Sequence, residues 1–167
     1  TGAQITGYCT PKGRLLALPL IVGQAQGYRL LVPEDIKEGF LKRLSMFIMR
    51  ADVQVTERKQ WTVTGVIADN HDGLGPLTDY LGGLPAAVMD AASSADGQLV
   101  RWHDDPGGEG DTEERPRARY LFIAEISRQV ELWREGAGLP QSGRALWRLG
   151  DVRAGIPSIT SGVLEAF

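Results

Sequence analysis

Apolar residues along this chain recur with two periods, and the alternation between them predicts the elements. The runs 14–23 (RLLALPLIVG) and 27–33 (GYRLLVP) are β-like and are parted by the hairpin-length polar break Gln24-Ala25-Gln26. A helix is then predicted from Pro33, whose fixed φ suits a first turn and is followed by acidic Glu34 and Asp35. Ile36, Phe40, Leu41, Leu44, Phe47 and Ile48 recur at helical spacing, with Lys37, Glu38, Lys42 and Arg43 opposite.

The same order is expected twice more. Period-two runs at 52–58 (DVQVTER) and 61–68 (WTVTGVIA) precede a helical stretch over 74–92, interrupted by Gly82-Gly83-Leu84-Pro85. Strands at 97–103 (GQLVRWH) and 117–124 (RARYLFIA) precede a helix over 125–135, and the Gly- and acid-rich 104–116 between them reads as a solvated hairpin loop. A last helix end is marked by Gly155 and Pro157 after Trp147, Leu149 and Val152. Repeated ββα units predict an α+β fold, antiparallel sheets with helices packed on one face. Two structural halves are expected, roughly 1–92 and 93–167.

Composition narrows the function classes. With 43% hydrophobic and 23% charged residues, the chain is an ordinary globular sequence. A net charge of −3 argues against a phosphate-coating surface, so no direct nucleic-acid partner is expected. One cysteine and two histidines exclude an internal disulfide and make a structural zinc improbable, so no metal site is expected. No apolar run reaches transmembrane length and no basic-plus-apolar leader is seen, so no membrane association and a cytoplasmic location are expected. The opening TGAQITGYC and the closing SGVLEAF read as cuts through structured sequence, so the chain is expected to be a fragment.

Few motifs carry chemistry by themselves. Asp72–Leu77 (DGLGPL) invites a dinucleotide-loop reading, but Thr78 stands where the third glycine belongs, leaving a strand-to-helix turn. His71-Asp72 reads as a solvated turn, and Cys9 as a buried or half-buried inert thiol with no histidine near it in sequence. There is no G-x-S-x-G. Trp61, Trp102 and Trp133 sit in strand or helix patterns that core packing explains. Trp147, beside a sharp turn, fits either core packing or stacking on a planar heterocycle. Lys12 and Arg14 either offer charge to an anionic tail or flank a turn.

Several stretches together resemble the YgfZ folate-binding proteins, relatives of the glycine cleavage T-protein. GYCTPKGRLLALPLIV (7–22) is similar to the family's C-x-x-K-G-[KR] before a strand. LKRLSMFIMRADVQVTE (41–57) is similar to its helix-then-strand passage, and WRLGDVRAGIPSITSGVLEAF (147–167) to the passage just upstream of its K-G-C-[YF]-x-G-Q-E signature. The likeness is collinear from about residue 5 to the C-terminus, tight at both ends and loose over about 85–140. It implies a T-protein-like folate-binding domain over 1–167 with a ferredoxin-like element, tetrahydrofolate or a folate derivative as ligand, and iron–sulfur client enzymes, tRNA-modifying ones included, as partners. It also implies that a second folate-contacting tryptophan and the signature cysteine lie outside this chain, which Cys9 does not replace.

Position by position, the resemblance puts Trp147 at a folate-contacting tryptophan. Arg153 stands where the T-protein usually has a glutamate that hydrogen-bonds the pterin edge, and the catalytic aspartate falls at about Ala17 or Leu18. Alanine and leucine cannot stabilise an iminium-like charge or move a proton. The expectation is therefore a folate-binding protein without transferase chemistry, its ligand met by Trp147, Arg153, Lys12 and Arg14. The alternatives are a tetrahydrofolate-dependent aminomethyltransferase with a displaced acid, Asp151, and a non-catalytic interaction scaffold.

Overall fold

Turn chemistry decides where the first strands begin and end. Ala25 and Gln26 form a two-residue loop between β4 (Leu20–Gln24) and β5 (Gly27–Leu31), whose register runs from Gln24↔Gly27 to Leu20↔Leu31. Gly27 has φ +100°, a conformation that L side chains resist. The expected strand 14–23 is two strands, β3 (Leu15–Ala17) and β4, because Pro19 between them has no N–H to give a ladder. β3 pairs antiparallel with β2 (Tyr8–Cys9), while β4 lies between β1 (Ala3–Ile5) and β5.

The computed structural model describes residues 2–48, 50–68, 74, 78, 83–95, 97–108, 116–134 and 140–164. The chain forms a larger unit (Thr1–Ala3 with Lys59–Ile156) and a smaller unit (Gln4–Arg58 with Pro157–Phe167). The divisions therefore fall at 3/4, 58/59 and 156/157; residue 92, where two halves were expected to meet, lies inside a strand.

In the smaller unit a 3-10 turn at Glu34–Ile36 leads into α1 (Lys37–Phe47), as the periodicity predicts. Ile36 is buried, but Met46 and Phe47 are 54% and 68% exposed, so the apolar stripe of α1 is only partly covered. The run 52–58 is not a strand: residues 53–58 carry no regular structure, and Val53 and Val55 are exposed. Alternation makes a strand only where a partner ladder and a buried face are supplied; here Glu57 instead binds Lys37 Nζ at 2.8 Å. The Ser161 N–H and hydroxyl donate to Asp35 Oδ2 at 2.8 and 2.9 Å. The two bonds hold the Asp35 carboxyl below the usual carboxylate range and tie 157–164 to the start of α1.

The larger unit is built on one antiparallel sheet, its central sheet, in the order β6-β9-β8-β7, comprising β6 (Trp61–Ala68), β7 (Ala91–Ser93), β8 (Gln98–Asp105) and β9 (Arg117–Glu125). The fold is thus α+β with antiparallel sheets. Directly paired residues share a face, and the registers Val66↔Tyr120, Ala68↔Ala118 and Leu99↔Phe122 gather one apolar face. Val66, Ala68, Leu99, Ala118, Tyr120, Phe122 and Ala124 form its core with Leu74. Helix α2 (Ile126–Arg134) follows β9 without a loop and is anchored there by Gln129. The Gln129 amide donates to the carbonyls of Thr62 and Phe122 at 3.1 and 3.0 Å, and its Oε1 accepts the Thr64 hydroxyl.

Several expectations are corrected here. Trp133 on α2 is 51% exposed rather than packed in a core, because it lies in the last turn of the helix, a turn beyond the Gln129 anchor. Of the helix expected over 74–92, residues 75–77 and 79–82 lie outside the described residues; its last part is a turn and β7, since the Met89 N–H donates to the Arg101 carbonyl and the Arg101 N–H to the Asp90 carbonyl. The middle ββα unit therefore lacks its first strand, whereas β4-β5-α1 and β8-β9-α2 follow the expected order. Within the expected loop 104–116, residues 104 and 105 belong to β8, and 109–115 lie outside the described residues. Among the described residues no helix is long and apolar enough to cross a membrane.

Candidate functional site

Helix α3 (Arg144–Arg153) covers the opposite face of the central sheet and carries Trp147, Asp151 and Arg153. Its end is a Schellman motif. The Ile156 N–H donates to the Asp151 carbonyl at 2.8 Å and the Gly155 N–H to that of Val152 at 3.1 Å, with Gly155 at φ +68°. Trp147, Gly150 and Asp151, spaced i, i+3 and i+4, share the face turned to the sheet.

Two glycines make the seat. A Cβ at Gly65 of β6 would lie 2.3 Å from Trp147 Cε3, so the indole rests where β6 has no side chain. A Cβ at Gly150 would lie 2.8 Å from Arg119 Nη1, so α3 closes over the guanidinium only as glycine. Arg119 of β9 is fully buried, its guanidinium carbon 4.9 Å from the centre of the Trp147 ring. A cation over an indole face contributes about 0.5–2 kcal/mol, more as water is excluded.

The Arg119 charge is also paired, as burial requires. Its Nε donates to the His103 carbonyl at 2.8 Å, and its Nη1 to Asp151 Oδ1 at 2.8 Å and the Trp147 carbonyl at 3.3 Å. Nη2 is buried with no hydrogen-bond partner among the described residues. Asp151 Oδ1 accepts a second bond, from the Trp102 indole N–H at 2.9 Å. One carboxylate oxygen thus fastens α3 to both β8 and β9.

A second pairing lies at the end of β8, where the register shifts between Trp102 and Asp105 and a bulge re-aims the strand. Asp105 is fully buried. Its Oδ2 accepts from Arg117 Nη2 at 2.7 Å, and its Oδ1 accepts the Gly107 N–H at 3.0 Å and lies 3.7 Å from Arg153 Nη1. Arg153 also lies flat against Gly108, where a Cβ would be 2.5 Å from its Nη2.

Of the residues singled out from the sequence, Trp147 and Arg153 are therefore placed by one helix on one sheet face. Trp147 is half-buried and backed by a glycine and a cation; Arg153 faces a carboxylate. Lys12 and Arg14 belong to the smaller unit, both exposed in the turn between β2 and β3, where the Arg14 N–H donates to Thr10 Oγ1 at 3.1 Å. Ala17 is fully buried in β3, and Leu18 follows it. Cys9 is exposed, not buried as expected, because it lies at the end of the short β2 against an open turn. His71 and Asp72 lie outside the described residues, as does most of 72–77.

Arg119 and Asp105 were not expected. Period-two reading of RARYLFIA sets Arg117 and Arg119 opposite Tyr120 and Phe122, which is where a solvated face would carry them. The nearest hint was Asp151, one helical turn after Trp147 on a helix with a single aspartate. Compared with known protein families and with curated protein sequences, the chain matches no family profile and no curated sequence.

Proposed function

We propose that this chain is a folate-binding protein of the YgfZ type, with a ferredoxin-like folate-binding element, that supports iron–sulfur client enzymes, tRNA-modifying enzymes among them, in the cytoplasm. One observation carries the reading. The indole at the position where the family meets folate is half-buried and braced from the sheet side by Gly65 and Arg119. A large ring held in one orientation is the preorganised stacking surface that a planar pterin needs, at little further entropy cost. Arg153, 22% exposed beside Asp105, is the candidate to meet a folate carbonyl or glutamate tail by charge-assisted bonds.

Aminomethyl transfer is the weaker reading. Asp151, the candidate displaced acid, gives Oδ1 to an indole and a guanidinium at once, a fastening role. Ala17 and Leu18 supply no carboxylate at the positions where the T-protein resemblance expects one.

Tetrahydrofolate titrated into the whole protein and followed by tryptophan fluorescence is expected to saturate. Trp147→Ala should weaken binding about tenfold or more, Trp147→Phe less, and Trp133→Ala, which removes a half-exposed indole on another helix, not at all. No saturable change, or equal affinity in wild type and a folded Trp147→Ala chain, overturns the proposal.

A further inference from the structure

β6 is an edge of the sheet in the larger unit: β9 pairs with one side of it, and among the described residues no strand pairs with the other. Natural proteins guard such edges against another chain by shortness, by a bulge, or by a charge or proline on the edge. The opposite edge, β7, has three residues and meets Gly2 in a bridge at Asp90, the residue before it. β6 has none of these guards. Its eight residues, Trp61–Ala68, hold no charge and no proline, and they face β9 one to one from Trp61↔Glu125 to Ala68↔Ala118 without a bulge.

The ladder also shows which backbone groups look outward. The Ile126 N–H donates to the Gln60 carbonyl at 2.8 Å, which makes Gln60 and Ile126 a hydrogen-bonded pair one step beyond Trp61↔Glu125. Such pairs recur at every second residue. Thr62, Thr64, Val66 and Ala68 therefore turn their N–H and C=O to β9, and Val63, Gly65 and Ile67 turn theirs to the other side. Gly65 supplies an independent observation. The Trp147 ring covers the face on which its Cβ would stand, yet Gly65 remains exposed, so solvent reaches its backbone from the edge. Val63, two residues before it, is 41% exposed.

Helix α2 adds apolar surface at the same strand. Gln129 pins it to the Thr62 carbonyl and the Thr64 hydroxyl, while Ile126, Val130 and Trp133, spaced i, i+4 and i+7, are 49%, 38% and 51% exposed. At about 100° per residue this stripe lies less than a quarter-turn from Gln129, so it flanks the sheet-facing side of the helix.

We propose that β6 pairs antiparallel with β6 of a second copy of this chain, joining two four-stranded sheets into one of eight strands. The occupant follows from the strand's own sequence. Centred on Gly65, the pairing sets each Val63 against Ile67 of the second copy, engages the N–H and C=O of all three outward residues, and brings no charge against a like charge. The two-fold axis uses up this edge in both copies, so association stops at two. A ladder alone is a small interface, and the α2 stripes are the apolar surface that the same axis buries beside it. The surface does not rest on the folate reading.

Sedimentation equilibrium of the whole protein, joined to amide hydrogen exchange at low and high concentration, tests this. The mass is expected to rise from 18.2 kDa to twice that value between micromolar and millimolar concentration. The amides of Val63, Gly65 and Ile67 should exchange freely in the dilute chain and about tenfold or more slowly in the concentrated one, while those of Thr64 and Val66, bonded to β9 throughout, stay unchanged. Val63→Lys puts a charge on the edge and should raise the dissociation constant about tenfold or more with little change in thermal melting. Should it misfold, Thr62→Lys, also at an exposed position, takes its place. Val53→Lys, 58% exposed in the smaller unit, is the control and should leave the dimer intact. A mass that stays at 18.2 kDa, which would leave the edge to a strand of another protein, overturns the proposal. So does growth past the dimer, slowed exchange centred on other amides, or undiminished dimerisation of a folded Val63→Lys or Thr62→Lys chain.

Discussion

The two faces of the central sheet are held by different physics. One gathers Val66, Ala68, Leu99, Ala118, Tyr120, Phe122 and Ala124 into an apolar layer in which no residue is more than 8% exposed. The other carries a fully buried arginine and a fully buried aspartate, and α3 is fastened over them by Asp151 and Arg153. Apolar burial is non-directional and tolerates a range of shapes. A paired buried charge is satisfied only in one geometry, and losing a partner leaves the other exposed to its desolvation cost. The lesson is a division of labour: the apolar face makes the unit stable, and the charged face fixes where α3, and with it Trp147, must sit.

Truncating the apolar face should produce the largest effect. Phe122 is fully buried, so Phe122→Ala is expected to cost about 3–5 kcal/mol in a urea or thermal melt. If the faces divide their roles, the variant that remains folded keeps wild-type tetrahydrofolate affinity. A stability loss below about 1 kcal/mol would mean that this face is not the core.

The charged face should give a smaller but more specific response. Arg119→Met keeps the stem's packing and removes the guanidinium from Asp151, whose side chain is 25% exposed and so partly recovers water. The cost is expected near 2 kcal/mol, below the 3–5 kcal/mol typical when one partner of a fully buried pair is removed. A cycle with Asp151→Asn, which keeps an acceptor for the Trp102 indole, should show a coupling of about 1–2 kcal/mol that added salt leaves unchanged. Additive losses would break the comparison, because the pair would then be surface decoration.

How much of this was legible in the sequence follows from the same contrast. Strands 61–68 and 117–124, the helices from Lys37 and Ile126, and the helix stop at Gly155 show in local periodicity and turn chemistry, which act over a few residues. The run 52–58 misled because alternation describes a strand's faces but not whether a neighbour exists to pair with it. Pro19 was present in the sequence as a break and was read through. The seat of Trp147 was not legible, since Gly65, Arg119 and Gly150 come together only through the β6-β9 register and the docking of α3. Period two shows Arg119 on the face away from Tyr120; only the fold shows that a helix covers that face.

The finest test of the division is a single methyl group. Gly65 lies on β6 beneath the indole, and Gly65→Ala would put a carbon 2.3 Å from Trp147 Cε3 and 2.7 Å from Cζ3. Such an approach cannot be accommodated without moving the ring. Alanine is no worse than glycine for strand backbone, so propensity does not explain any loss. Because Trp147 is only half-buried, it can tilt outward, and the cost is expected at the low end for overpacking, about 1 kcal/mol. The more telling readout is the ring itself: displaced from Arg119, its fluorescence should shift and tetrahydrofolate affinity should fall by more than the stability change explains. A Gly65→Ala chain with wild-type fluorescence and affinity would show that α3 has slack over the sheet, and that the buried charges do not fix the position of Trp147 after all.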